Sequence, residues 1–311
     1  MTKYLELFRL ETIMTDINLL ASKQSQLQAF ETTQKHTWCS GCGNFGIISA
    51  LKRSLVLENI STKNLLLCYD VGCSGNESDK INCYTIHGLH GRVLPLASGA
   101  SLANTDMLVV AQAGDGATFS EGINHLIHSI RNNYNITFIC HNNLNYGLTI
   151  GQASSTTRKN VKMSASPDGV TVDPINTLEL VLASNPTFVA RSFSGDINHM
   201  TDIIQAGIRH QGFSYIEILQ ACPTFNKDTP QEWYWDKIKK TEEINHDKTD
   251  IWAARKLVAD GLDKDIAVGI IYQNSDKLPF EKTLNSRAGV TTNLTQEVKN
   301  YDVSNLIAEF I

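Results

Sequence analysis

The stretch Val109–Thr149, VVAQAGDGATFSEGINHLIHSIRNNYNITFICHNNLNYGLT, decides the fold. Met107–Ala113 is an apolar run of strand length, broken by Gly114-Asp115-Gly116. Ile123, Leu126, Ile127 and Ile130 then recur at helical spacing and mark one face. A second strand, Ile136–Cys140, runs into Asn142-Asn143. Strand, glycine turn, helix and strand make one parallel crossover unit. Glycines at a strand-to-helix turn let backbone amides approach a phosphate, and the helix N-terminus favours negative charge. Asp115 between them suits a hard cation. Neighbouring strands of a parallel sheet end at one edge, so Asp115 and Asn143 can face a single ion. Magnesium, with a carboxylate, an amide or main-chain oxygen and diphosphate oxygens, fits that donor set.

Outward from this unit the same alternation continues. A helix from Phe45 carries Ile47, Ile48, Leu51 and Leu55 on one face, and Leu65–Tyr69 reads as a strand followed by a helix at Leu94–Leu102. Beyond it come a helix around Leu178–Leu182, a strand Thr187–Ala190, a helix near Ile197–Ile208 and a strand Tyr215–Leu219. The expected class is α/β, a mostly parallel sheet with helices on both faces. Residues 1–35 lack glycine and proline and read as an N-terminal extension. Residues 36–229 form the binding domain. Residues 230–311, charged and bearing Trp233, Trp235 and Trp252, read as a C-terminal wrapping tail.

The 311 residues are 42% hydrophobic and 19% charged, which suits a globular chain. A net charge of −5 without a long basic run argues against a nucleic-acid surface. The apolar runs Leu108–Ala111, Ile136–Cys140 and Ile266–Tyr272 fall well short of the ~20 residues that cross a bilayer. No secretory signal pattern opens the sequence. Seven cysteines, an odd number, suit thiols that are free or metal-bound in a reducing compartment, and the cytoplasm is expected.

Cys39 and Cys42 make a Cys-x-x-Cys pair ahead of the first helix. Alone, this spacing fits zinc, thiol redox chemistry or an iron–sulfur cluster equally. Cys73 follows the strand Leu65–Tyr69 and Cys222 follows Tyr215–Leu219, on the edge that carries Asp115 and Asn143. Cys68 and Cys140 fall inside strands, as small hydrophobes do, and Cys83 also fits a metal site less well.

WCSGCGN, DVGCSGN, HGLHGR, GDG…NN, YGLTIGQAS and LQACPTFN occur in this order. The chain thereby resembles the β subunits of two-subunit 2-oxoacid:ferredoxin oxidoreductases, from His36 to at least Asp236 and more weakly to about Arg287. The resemblance implies a thiamine diphosphate-binding fold. It implies magnesium held by Asp115, the Asn143 side chain and the Asn145 main-chain oxygen. Gly116, Ala117, Gly147 and Leu148 would line the diphosphate. Val71, Gly72, Cys73 and Ser74 match a cofactor-lining turn, and His90 matches a cofactor-contacting histidine; His87 is as well explained as a loop histidine. Cys39, Cys42, Cys73 and Cys222 match the ligands of one 4Fe–4S cluster.

The implied activity is decarboxylation of a 2-oxoacid with coenzyme A to acyl-CoA and CO2, electrons passing through the cluster to ferredoxin. The carboxylate that activates the cofactor is implied on a partner α subunit, so no catalytic residue is assigned here. Family members that accept 2-oxoglutarate commonly carry a basic residue three positions after the third cysteine and a lysine in YGLTKGQ. Asn76 and Ile150 stand there, which points to pyruvate or another monocarboxylic 2-oxoacid. Ala117 replaces an aspartate common after Gly-Asp-Gly. The rival readings are a cluster-free thiamine diphosphate decarboxylase or ligase half, and a zinc-stabilised non-catalytic subunit.

Overall fold

A computed structural model describes residues 22–262, 264–297, 302 and 304–309. The expectation for the extension therefore lies in large part outside the described residues. After a helix α1 at 22–29, the chain forms α2 (Asn44–Leu57), β1 (Leu65–Tyr69), β2 (Tyr84–His87), α3 (Val93–Ala103) and β3 (Leu108–Gly114). Next come α4 (Ile123–Asn132), β4 (Ile136–Asn142), α5 (Thr177–Ala183), β5 (Phe188–Phe193), α6 (Ile197–Arg209) and β6 (Phe213–Leu219). α7 (Gln231–Trp235), β7 (Ile238–Lys240), α8 (Ile251–Val258) and β8 (Ile266–Gln273) follow.

The strands make one eight-stranded sheet in the order β2-β1-β3-β4-β6-β5-β8-β7. Every pairing is parallel except β5 with β8. β4 and β6 are buried at every position, and most of their residues are apolar, although β6 also carries Glu217. Successive side chains alternate between two cores. Val110, Ile139 and Ile216 face α2 and α6 through Leu51, Leu55, Met200 and Ile204. Ala111, Phe138 and Tyr215 face α3, α4, α5 and α8 through Ala97, Leu126, Val181 and Ala254. Helices therefore cover both faces, as the alternation of elements implies.

Three strands carried no usable signal. β2 is an edge strand whose Tyr84 and Ile86 are exposed, so it lacks an apolar pattern. β7 spans only three residues. The run Ile266–Tyr272 looked merely apolar, and β8 is that run, laid antiparallel on β5. Residues beyond Pro230 thus add two strands to the sheet, and Tyr234 stacks on Phe193 of β5. Phe30, ahead of the binding domain, is buried in the α2–α6 core. Among the described residues no helix is long and apolar enough to cross a membrane.

Candidate active site

The carboxyl ends of β1, β3, β4 and β6 border a cleft with about 670 Å³ of unfilled space, its open mouth included. Val71, Gly72, Cys73 and Ser74 after β1, His90, Gly116, Ala117, Gly147 and Leu148 all line it. Asp115, Asn143 and Asn145 line the same cleft. Asn44, His141, Tyr146 and Gln220 also line it and were not singled out in the sequence.

Asp115 lies just past β3, where the chain enters a π-helical turn, Ala117–Glu121, ahead of α4. π-turns of this kind recur at functional sites. Its Oδ2 accepts from Ser154 Oγ and Thr156 Oγ1, both at 2.5 Å. Burial pushes the carboxyl up to about 6, against the pull of those hydroxyls and the Asn143 backbone N–H. Leu144, at φ 59, turns the chain back so that the Asn145 side-chain amide donates to the Asn143 carbonyl at 2.8 Å. The Asn145 N–H donates to Asn143 Oδ1 at 3.1 Å, and Asn145 Oδ1 is buried without a partner. One carboxylate beside amide oxygens, one of them unsatisfied, is a donor set for a hard cation.

The glycines of this rim have different tasks. A Cβ on Gly114 would meet nothing within 4 Å, so that turn is open to a ligand. A Cβ on Gly116 would lie 2.2 Å from Cε1 of Tyr146, so this glycine makes room for a ring of the protein itself. At Gly147 a Cβ would fall 3.1 Å from Cys73 Sγ and 3.5 Å from Asn145 Oδ1, filling the space between sulfur and amide.

Cys39 and Cys42 form a turn closed by the Cys42 N–H on the Cys39 carbonyl at 3.1 Å, with Gly41 at φ 78, in the left-handed region that favours glycine. Trp38 Nε1 and Asn44 Nδ2 donate to the Cys73 carbonyl at 2.8 and 3.2 Å, which fastens this turn to the loop after β1. Gln220 Nε2 reaches Cys42 Sγ at 3.4 Å from the end of β6, two residues before Cys222. Burial first, and then the nearby Cys42, Cys222 and Cys39, push the Cys73 thiol up to about 12. Cys42, Cys222 and Cys39 therefore lie near enough for their charges to act on Cys73, and burial makes a bare thiolate there costly. Among the described residues no three His, Cys, Asp or Glu side chains converge as ligands of a single ion. Cys68 and Cys140 are wholly buried in β1 and β4, and half-buried Cys83 points its sulfur at the Tyr84 carbonyl.

His90 Nδ1 lies 3.5 Å from Glu121 Oε2, and the same carboxylate accepts from Tyr146 Oη at 2.9 Å. His87 is exposed and packs near Gly75, outside the cleft lining. Asp70 ties the loops together: its carboxylate accepts from the N–H groups of Val71, Gly91 and Val93 at 2.8, 3.0 and 3.3 Å. An aspartate at a strand end was its only sequence signal. His141, the residue before Asn142-Asn143, is held far down, at about 3, by burial.

The fold and cleft define a thiamine pyrophosphate-binding domain. Residues 70–218 match the family described as "Thiamine pyrophosphate enzyme, C-terminal TPP binding domain". Residues 222–288 match the family that describes the C-terminal part of the pyruvate ferredoxin oxidoreductase β subunit. A 2-oxoacid:ferredoxin oxidoreductase subunit beta from a Sulfolobus species is 34% identical over 278 residues, 83% of this chain and 88% of the relative. The corresponding subunit from Saccharolobus solfataricus is 35% identical, covering 81% of this chain and 86% of its own. A solved 2-oxoglutarate:ferredoxin oxidoreductase from Magnetococcus marinus, with 2-oxoglutarate, coenzyme A and succinyl-CoA bound, superposes with a TM-score of 0.82 at 31% identity, over 91% of this chain and 95% of that one. The chain belongs to the β subunits of the 2-oxoacid:ferredoxin oxidoreductases.

Proposed function

We propose that this β subunit, joined to an α subunit, oxidatively decarboxylates a 2-oxoacid with coenzyme A to acyl-CoA and CO2, and delivers the electrons to ferredoxin. What supports the reading is the buried cation cradle in the cleft that Cys73 also lines, with the Cys39–Cys42 turn fastened to the Cys73 loop and Gln220, two residues before Cys222, reaching Cys42. Asp115, Asn143 and Asn145 would hold magnesium, which anchors the diphosphate. Thiamine diphosphate, when bound, supplies the electron sink for cleavage beside a 2-oxo group. Cys39, Cys42, Cys73 and Cys222 would hold a 4Fe–4S cluster, which supplies a one-electron acceptor next to it.

This chain's own part is to position and to exclude water. Val71, Gly72 and Ser74 wall the cleft on the β1 side, and Asp70 holds that wall to the His90 loop. Glu121 holds His90 and Tyr146, both of which line the cleft. Leu148, which lines the cleft, and Ile150, two residues on, are 51% and 69% exposed and would offer a partner subunit an apolar seat. The carboxylate that activates the cofactor is assigned to that partner. A reducing cytoplasm suits the exposed thiol of Cys39.

The substrate reading is a monocarboxylic 2-oxoacid such as pyruvate. Among the described residues lining the cleft none is Lys or Arg. Asn76 and Ile150 bring no cation, and Arg92 Nη1 is engaged by the carbonyls of Gly91 and Glu121. A distal carboxylate would forgo charge-assisted bonds of about 1.5–3 kcal/mol each. One experiment tests both levels: anaerobic co-purification with the α subunit, followed by analysis of bound cofactors and steady-state assay. A brown protein with bound thiamine diphosphate, inactive as β alone and with higher kcat/KM for pyruvate than for 2-oxoglutarate, is expected. A colourless protein with stoichiometric zinc overturns the cluster, turnover by β alone overturns the partner requirement, and preference for the dicarboxylate overturns the substrate.

A further inference from the structure

Behind the cation cradle lies a second cavity, with about 840 Å³ of unfilled space, its open mouth included. It is bounded by β5, the start of α5, the turn after α8 and the loop that carries Thr156 and Arg158. Thr156 lines it and also donates from Oγ1 to Asp115 Oδ2 on the cleft side. Thr156 thus stands between two cavities that have no described lining residue in common.

Of the charged residues lining this cavity, Arg191 of β5 is the most buried, at 1% exposure. A guanidinium carries five N–H donors. Among the described residues Arg191 uses one, from Nε to Glu217 Oε2. The other oxygen of that carboxylate is occupied, accepting from Asn142 Nδ2 and Thr177 Oγ1. Both Nη groups therefore lack a protein acceptor, and they are not sealed off but open onto the cavity. A buried donor without an acceptor is costly, more so when it is charged, so whatever fills the cavity must accept hydrogen bonds.

The charge balance narrows what that is. Arg158 lines the same cavity, with its guanidinium 5.1 Å from the centre of the Trp233 ring. Among the described residues it has no carboxylate partner. The ring holds this cation without neutralising it. Asp173 and Asp260 also line the cavity, but each is bound to a lysine, Lys159 at 3.0 Å and Lys264 at 2.9 Å. With Glu217 set against Arg191, the charge of Arg158 is left uncompensated.

We propose that this cavity is a second binding site, taking a small oxyanion, carboxylate or phosphate, held by Arg191 and Arg158. The two Nη groups of one guanidinium present parallel donors that match the paired oxygens of either group. Little solvent reaches Arg191 to compete for them, which strengthens such bonds. Water alone would satisfy the N–H groups and leave the positive charge unanswered. The site lies behind Asp115, away from the glycine turn of the cleft, and is independent of what the cleft binds.

The test is calorimetric titration of the full chain with inorganic phosphate and, separately, with acetate, in a buffer free of other oxyanions. At least one probe should bind to wild type, and the tighter of the two names the class. Arg158→Gln should weaken that binding about 10- to 100-fold. Arg191→Lys, which keeps the charge but loses the fork, should weaken it as well. Arg53→Gln, which removes an exposed charge on α2, should not. Phosphate that enters the cleft is insensitive to Arg158, which does not line it, so the loss in Arg158→Gln assigns the binding to this cavity. Equal affinity in wild type and Arg158→Gln, an equal loss in Arg53→Gln, or no binding of either probe overturns the proposal. Should Arg191→Lys not fold, Arg158→Lys takes its place, with an affinity expected between those of wild type and Arg158→Gln. A chain that binds no thiamine diphosphate would leave these titrations unchanged, so the two readings fail separately.

Discussion

Tyr146 occupies the space that a side chain on Gly116 would need, and its hydroxyl is held by Glu121. Gly114, two residues earlier, faces open cleft. The two glycines therefore predict opposite behaviour. Gly116→Ala must displace a ring adjacent to Asn145, an overpacking cost of about 1–3 kcal/mol. Gly114→Ala should leave stability unchanged and weaken thiamine diphosphate binding, because its methyl enters space reserved for ligand. Urea midpoints paired with cofactor titrations measure both; equal stability loss in the two variants would refute the distinction. Asp115 and Asn143 were legible because each stands next to a strand end at a fixed offset. Asp70, Asn44 and His141 were not, since their importance comes from contacts between segments distant in sequence.

Among the elements, β4, β5, β6 and α5 are joined by one buried ion pair. Arg191 and Glu217 lie opposite each other in the β5–β6 ladder, with Arg191 Nε 2.6 Å from Glu217 Oε2. Glu217 Oε1 also accepts from Asn142 Nδ2 at 2.9 Å and Thr177 Oγ1 at 2.6 Å. Asn142 immediately precedes the cation cradle, so this carboxylate braces the loop from behind. Arg191→Met strands a buried charge, and about 3–5 kcal/mol of stability should be lost. Adding Glu217→Gln should recover part of it in urea unfolding, because the amide needs no counter-charge; no recovery would mean that packing, not charge, is at stake. Central strands such as these were legible from their mostly apolar residues, whereas the ion pair inside them was not. The edge strand β2 was not, since an exposed edge has no reason to be apolar.

For the whole molecule, the residues after Pro230 decide whether the sheet is finished. β8 covers β5, and Ile266 and Val268 pack with Phe193, Leu219 and Tyr234. A chain cut at Thr229 would bare the β5 edge together with that apolar cluster, a template for aggregation. Light scattering of the 1–229 fragment should detect association, whereas a monomeric, cooperatively folded fragment would make the C-terminal region a dispensable wrap.

The sulfur rim has a temporal meaning as well. Cys39 and Cys42 precede α2, Cys73 follows β1, and Cys222 follows β6, which lies between β4 and β5. The rim does not exist until the sixth strand has docked. On the cluster reading proposed above, a group that bridges these sulfurs would meet its full ligand set only in an almost completed protein: polypeptide first, inorganic chemistry second.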